Sequence, residues 1–246
     1  MLALILAAGY ATRMYPLTLN KPKPLLSIAG KPAIEHIIER IRAIKEVARI
    51  LVITNAKFFQ HFQDWKKTFS EELPIKILND QSLSEQDRLG AVGDIDFVLK
   101  QEKVSQDLLV IAGDNLFQGG LREFIDFARN KAPASSIGLH KLNNLKQVKK
   151  YSQVRLDAEQ RIIEFEEKPQ RPSSTLVAKC IYFFPAEKLH LIAEYIKTGG
   201  STDQPGHYIS WLYRQDKVFG FIFSGRWYDI GDAQTYQKAS DEFGLE

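Results

Sequence analysis

The sequence predicts an α/β fold with a mixed central sheet, on three observations. The chain opens on an unbroken apolar run, Leu2–Leu6, typical of a strand buried on both faces. Through the first half, short apolar runs alternate with segments of helical period, the pattern of parallel βαβ units with right-handed crossovers. The second half is richer in strand-like runs than in helical ones, so the sheet is expected to be mixed.

Taken in order, the first strand runs into Ala7, Ala8 and Gly9, a small-residue turn at a strand's carboxyl end, where open α/β sheets bind ligands. Pro32 suits a first helical position, and Ile34, Ile37, Ile38, Ile41 and Ile44 fall along one helical face. Residues 49–54 (RILVIT) read as a strand, 58–69 as a helix, 75–78 as a short strand and 108–112 as another buried strand. Strands follow at 136–142, 153–157, 162–167, 176–184 and 218–223, with helices near 186–195 and 206–214. No repeat, low-complexity tract or separating linker interrupts the chain. Residues 1–246 are therefore expected to form one domain of two lobes, about 1–120 and 121–246. The polar stretch at 79–90 (NDQSLSEQDRLG) lacks apolar periodicity and is long for an internal connection, which marks it as a lid or recognition loop.

Bulk properties mainly exclude. At 246 residues and 44% hydrophobic composition the chain can bury one large core or two fused lobes. Its 33 basic and 30 acidic residues give a formal charge of +3, too balanced for a nucleic-acid or membrane surface. Any positive site must be local. The single cysteine, Cys180, excludes an intrachain disulfide framework and a multi-cysteine metal site. With an apolar start that lacks a basic flank and is too short to span a bilayer, the expected location is cytoplasmic. The composition is compatible with a homo-oligomer.

Four motifs carry chemistry. Residues 6–24 (LAAGYATRMYPLTLNKPKP) place Arg13 and Lys23 on a loop that follows the Gly9 turn and is stiffened by prolines. Backbone N–H groups after the strand and two fixed cations suit a polyphosphate. The bland alternative is solvated loop cations, but Pro22 and Pro24 bracket Lys23 and lower the entropy cost of presenting it. A dinucleotide turn would need three glycines, and Ala11 and Met14 stand where the second and third belong.

The second motif, Gly113-Asp114-Asn115, ends the strand at 108–112, where a carboxylate near phosphates implies Mg²⁺. An Asx turn at Asp114 is the structural alternative. The third, Glu166-Glu167-Lys168-Pro169, offers a carboxylate for hydroxyl groups and a cation for an anion, against the plainer reading of a solvated charged strand end. The fourth, residues 225–232 (GRWYDIGD), encloses Asp229 and Asp232 among aromatic and glycine residues, a setting that asks for a partner such as a metal.

Together and in this order, the motifs resemble the sugar-1-phosphate nucleotidyltransferases, the family that includes glucose-1-phosphate thymidylyltransferase. The opening signature is matched by Gly9, Thr12-Arg13, Tyr15-Pro16-Leu17-Thr18 and Pro22-Lys23-Pro24, and G-D-N, E-K-P and W-x-D-I-G follow it. The resemblance implies a Rossmann-like three-layer nucleotidyltransferase fold, with a nucleotide-binding lobe at about 1–120 and a sugar-phosphate-binding lobe at 121–246. It implies that Leu6, Ala8, Gly9 and Thr12 border the nucleotide, that Arg13 binds the β and γ phosphates, and that Lys23 bridges the α phosphate and the sugar phosphate. Asp114 and Asp229 would hold Mg²⁺, with Asp232 as the fallback, and Arg13, Lys23 and Asp114 would be the catalytic set. Asn79, Asp80 and the Gly90 backbone lie where the family recognises the base. Glu167 would bind sugar hydroxyls and Lys168 the sugar phosphate. The implied partners are an NTP, with dTTP or UTP favoured, and a sugar 1-phosphate.

Two positions depart from the family pattern. Ser152 follows Tyr151 and Cys180 precedes Ile181-Tyr182, each where a glycine is usual, so both are expected to border the sugar phosphate or else to point into packing. The chain ends soon after W-x-D-I-G, so no appended acyltransferase or β-helix is expected. Two rival functions remain: transfer to a non-glucose acceptor such as another sugar phosphate, phosphocholine or inositol phosphate, and a catalytically silent nucleotide-sugar-binding regulatory subunit.

Overall fold

In the computed structural model, which describes residues 1–70 and 72–244, the elements follow the predicted alternation closely. Leu245 and Glu246 lie outside the described residues. Strand β1 (Leu2–Leu6) leads to a hairpin of β2 (Ser27–Ile28) and β3 (Lys31–Pro32), then helix α1 (Ala33–Arg42), β4 (Arg49–Thr54), α2 (Phe59–Thr68) and β5 (Ile75–Asn79). Helix α3 (Ala91–Gln101) precedes β6 (Leu108–Ala112), β7 (Asn115–Phe117), α4 (Leu121–Asn130), β8 (Ser135–Lys141) and the single turn α5 (Leu145–Val148). The chain continues through β9 (Ser152–Leu156), β10 (Ile162–Glu167), β11 (Leu176–Phe184), α6 (His190–Lys197), α7 (Pro205–Gln215), β12 (Val218–Ile222), β13 (Trp227–Asp229) and α8 (Ala233–Glu242).

The chain divides into two compact units that are not consecutive halves. The first comprises residues 1–89, 111–118 and 225–246, and the second 90–110 and 119–224.

In the first unit, β1 pairs parallel with β4 and β4 with β5. Strand β1 and the centre of β4 are apolar because both faces are covered, with Ala3, Leu4, Ile5 and Ile50 to Ile53 fully buried, whereas β5, at the end of the strand order, exposes Lys76. Helix α1 packs Ile34, Ile37, Ile38 and Ile41 inward. The helix is shorter than the sequence suggests. Pro32 pairs with Ser27 in the β2–β3 hairpin and only caps α1, and Ile44 is buried in the turn after Arg42. A proline can do this because the hairpin asks for no N–H at that position.

In the second unit the pairings run β10, β9, β11, β8, β12. The first three contacts are antiparallel and β8–β12 is parallel, so the sheet there is mixed as expected. Helices α3 and α4 occupy stretches to which the sequence reading assigns no element. Among the described residues, no helix is long and apolar enough to cross a membrane.

Candidate active site

The first unit gathers Arg13, Lys23, Asp114 and Asp229. Arg13 lies on a 3-10 turn, Thr12–Met14, fixed from beneath by buried Met14 and from the side by Thr18, whose hydroxyl donates to the Ala11 carbonyl at 2.7 Å. The guanidinium is thus presented outward from an anchored turn. Lys23 opens a second 3-10 turn, Lys23–Leu25, whose Pro24 and Leu25 are buried.

Gly113 explains how Asp114 reaches that turn. Its N–H donates to the Leu6 carbonyl at 2.8 Å, and a Cβ at 113 would lie 2.9 Å from that oxygen and 3.0 Å from Pro24 Cγ. Only glycine lets the end of β6 lie this close to β1 and the proline turn. Asp114 Oδ2 then accepts from Lys23 Nζ at 2.5 Å. On the short β7–β13 ladder Asp229 faces Asn115, and the Ile230 N–H donates to the Asp114 carbonyl at 3.1 Å, so the two aspartates are neighbours across it. The Asp229 carboxyl is pushed up to about 6, first by burial and then by the charge of Asp114, with Lys23 and Arg13 pulling it back. Two carboxylates and an ammonium thus share one partly dry site.

Asp232, the fallback ligand, has another task. Its Oδ1 accepts from the Thr235 N–H at 2.8 Å and Thr235 Oγ1 reaches back to the Asp232 N–H, a capping box that starts α8.

The residues expected near the nucleotide are placed as follows. Leu6 and Ala8 spend their carbonyls on Gly113 N–H and Asn55 Nδ2, which ties the turn after β1 to its neighbours. Gly9 is exposed, and a Cβ there would meet nothing within 4 Å, so the turn borders open space. Thr12 Oγ1 reaches Glu85 Oε1 at 3.4 Å and joins the opening loop to the 79–90 loop. Asn79 and Asp80 shape that loop: Asn79 Oδ1 accepts from Gln81 N–H, while the buried Asp80 carboxylate accepts from Ser82 N–H and Oγ. Gly90 belongs to the second unit, where it caps α3 at φ 77 and a Cβ would collide with the Thr202 carbonyl.

The second unit gathers Ser152, Glu167, Lys168 and Cys180. Ser152 and Glu167 are opposite residues on the β9–β10 ladder, and the Ser152 hydroxyl donates to Glu167 Oε2. Lys168 sits in the left-handed region at φ 47, which turns its ammonium to Gln204 Oε1 at 2.7 Å and to 3.6 Å from Glu167 Oε1. Cys180 is also left-handed, φ 54, where β11 loses register between Ala178 and Tyr182. Such a bulge re-aims side chains. The thiol bonds to the buried Tyr182 hydroxyl, which burial, that thiol and the Glu167 charge together hold well above the usual tyrosine range. Sequence reasoning missed Gln204 and Gly206, the residues that meet Lys168 and Glu167 from the start of α7. Gly206 is legible only as a helix start, since nothing local shows what presses on it.

Comparison with known proteins shows the family. A family model described as nucleotidyl transferase matches residues 2–244. A bifunctional protein GlmU from Methanocaldococcus jannaschii is 32% identical over 230 residues, 93% of this chain and 51% of that protein. A protein of Sulfolobus acidocaldarius, provisionally named a mannose-1-phosphate guanyltransferase, is 27% identical over 98% of this chain and 62% of its own length. The chain thus spans about half to three fifths of these relatives. A crystal structure of UDP-glucose pyrophosphorylase complexed with UDP-glucose superposes with a TM-score of 0.82 at 20% identity, covering 99% of this chain and 98% of that one, which establishes the nucleotidyltransferase α/β fold. On the matched span, the chain belongs to the sugar-1-phosphate nucleotidyltransferase family.

Proposed function

We propose that the protein transfers a nucleoside monophosphate from an NTP, dTTP or UTP, to a sugar 1-phosphate and releases pyrophosphate. The observation that carries this reading is the convergence of Asp114, Asp229 and Lys23, with the exposed Arg13 close enough to act on the Asp229 carboxyl. Arg13 binds the β and γ phosphates, and Lys23 meets the α phosphate. An already ionised oxygen of the sugar phosphate forms the new bond to the α phosphorus as the bond to the β-phosphate oxygen breaks, and the electron pair leaves with pyrophosphate. No protein nucleophile is needed; positioning and charge neutralisation supply the acceleration. Glu167 accepts from an acceptor hydroxyl and Lys168 meets the acceptor phosphate.

Mg²⁺ fits the donor cluster. The Asp229 carboxyl is raised first by burial and then by the charge of Asp114, and a divalent cation at the two carboxylates would offset both. Two neighbouring carboxylates suit an ion that completes its shell with water and phosphate oxygens. Asp114 and Asp229 would hold it, and it would supply neutralisation of phosphate charge.

The test is a matrix of dTTP, UTP, CTP, GTP and ATP against sugar 1-phosphates, phosphocholine and inositol phosphate, read as Mg²⁺-dependent pyrophosphate release. Turnover of a sugar 1-phosphate with dTTP or UTP is expected. The guanyltransferase name of one relative makes GTP the decisive competing arm. Nucleotide-sugar binding without turnover of any pair would make the protein a sensor.

A further inference from the structure

We propose that Ser152 is the positioning residue for Glu167, and that by occupying one carboxylate oxygen it makes the acceptor site read a single hydroxyl rather than a vicinal pair. The proposal rests on Glu167 being the group that meets acceptor hydroxyls, as argued above. Three neighbours hold its carboxylate. Oε2 accepts from the Ser152 hydroxyl. The same oxygen lies against the Gly206 backbone in the first turn of α7, so closely that a Cβ at 206 would overlap Oε2 and come within 2.8 Å of Ser152 Oγ. Ser152 is 8% exposed, so this oxygen is shut in by a hydroxyl on one side and helix backbone on the other. The positive end of α7 favours a carboxylate there.

Oε1 differs. It faces Lys168 Nζ across 3.6 Å, and that ammonium, half exposed, is bonded to Gln204 Oε1. The ligand-facing edge of the pair is therefore one oxygen with a cation beside it. A carboxylate with two free oxygens can clasp adjacent hydroxyls through parallel hydrogen bonds; one with a capped oxygen cannot form that pair and presents one oxygen, so one hydroxyl is read in the carboxylate plane. The chemical class that follows is a sugar 1-phosphate in which the carbon next to the recognised hydroxyl is free to vary, including deoxy and acylamino substituents.

The test compares glucose 1-phosphate with its 2-deoxy, 3-deoxy and 4-deoxy analogues, by pyrophosphate release with the best NTP and by calorimetric binding of each phosphate ester. In the native protein one deoxy position should cost roughly 10- to 150-fold in kcat/KM, the scale of one hydrogen bond to a charged group, and the positions beside it less than about threefold. In Ser152→Gly the freed oxygen should add a second sensitive position, next to the first and by at least about tenfold, through KM for the acceptor while KM for NTP holds. Ser152→Cys, of similar volume but a weak donor, should move the same way and covers the case in which the glycine variant does not fold. Two adjacent sensitive positions in the native protein, or a folded variant that weakens all four esters equally, would overturn the proposal. Absence of turnover with every ester would overturn the proposed function instead, and the binding data would still decide the role of Ser152.

Discussion

Asp114 and Glu167 are carboxylates in opposite electrostatic situations. Asp114 stands beside a second, mostly buried carboxylate and is bonded to an ammonium, so its surroundings hold charge of both signs at close range. Glu167 stands beside a neutral hydroxyl and a glycine, with its cation farther off. The first arrangement is suited to charge that changes during a reaction, because each member responds when a polyanion or cation arrives. The second is suited to fixed orientation, because its neighbours define where the oxygens point. Chemistry and recognition are separable on that basis, and each prediction below strains the separation at one point.

The largest effect is expected at Lys23. Lys23→Ala removes a fixed cation from the donor cluster and should lower kcat/KM about 10³-fold with every acceptor alike, since loss of one preorganised charge-stabilising group costs on that order. Steady-state pyrophosphate release measures it. A loss that depends on which sugar 1-phosphate is supplied would place Lys23 in recognition and break the contrast.

Asp229 comes next, read through stability. Its folded-state carboxyl is raised to about 6 from the ordinary value of 3.8, so the fold prefers the proton. The contribution of this group is fully present below the ordinary carboxylate range and is lost as pH rises through about 6. A rise of that size corresponds to roughly 3 kcal/mol of penalty above that pH. Asp229→Asn should therefore unfold at a higher temperature than the native protein at pH 8 and at nearly the same temperature at pH 4, while losing activity. Added Mg²⁺ should raise the native melting temperature at pH 8 and leave the variant unmoved. Equal melting curves at both pH values would show that Asp229 carries no such charge penalty.

Much of the donor cluster was legible because its residues sit in short, locally determined contexts. Proline brackets Lys23, glycine precedes Asp114, and each lies at the end of an apolar run whose exit direction follows from the fold class. Helix α1 was legible from isoleucine spacing alone. Helix α4 carries the same signal in Leu121, Phe124, Ile125 and Ala128, which a stricter count of spacing would have found. Helix α3 hides it, since a glycine and the buried Asp94 interrupt the apolar face. The acceptor cluster was legible only in part. Glu167 and Lys168 announce themselves as charge, but what orients them, Gly206 and Gln204, lies nearly forty residues away and has meaning only in three dimensions. The division into interleaved units was hidden for the same reason: nothing in residues 225–246 says that they return to the first strand's unit.

Glu167→Gln tests the recognition half. The amide keeps the shape but replaces one accepting oxygen with an N–H₂ donor, so a hydroxyl facing it must turn to accept, and the charge that strengthened both hydrogen bonds is lost. We expect acceptor KM to rise roughly 10- to 100-fold, with kcat and KM for NTP within about threefold. A fall confined to kcat would put Glu167 in the chemical step.

The smallest effect is expected at Asp232, and it separates a structural carboxylate from a metal-binding one three residues away. Its Oδ1 is engaged by the N–H and hydroxyl of Thr235, so its role is to satisfy the first turn of α8. Asp232→Ala should cost about 1 kcal/mol of stability, the usual loss of an N-cap, and Asp232→Ser, which restores a capping oxygen without the charge, should recover most of it. Denaturant titration measures both. Removing this charge also removes a minor influence that raises the Asp229 carboxyl, so in Asp232→Ser the pH midpoint of the Asp229 effect should move slightly down. If Asp232→Ser instead weakens the Mg²⁺ concentration dependence of turnover as much as Asp229→Asn does, Asp232 is a ligand and the cap is incidental. If stability is recovered and the metal dependence holds, the charge needed for chemistry ends at Asp229.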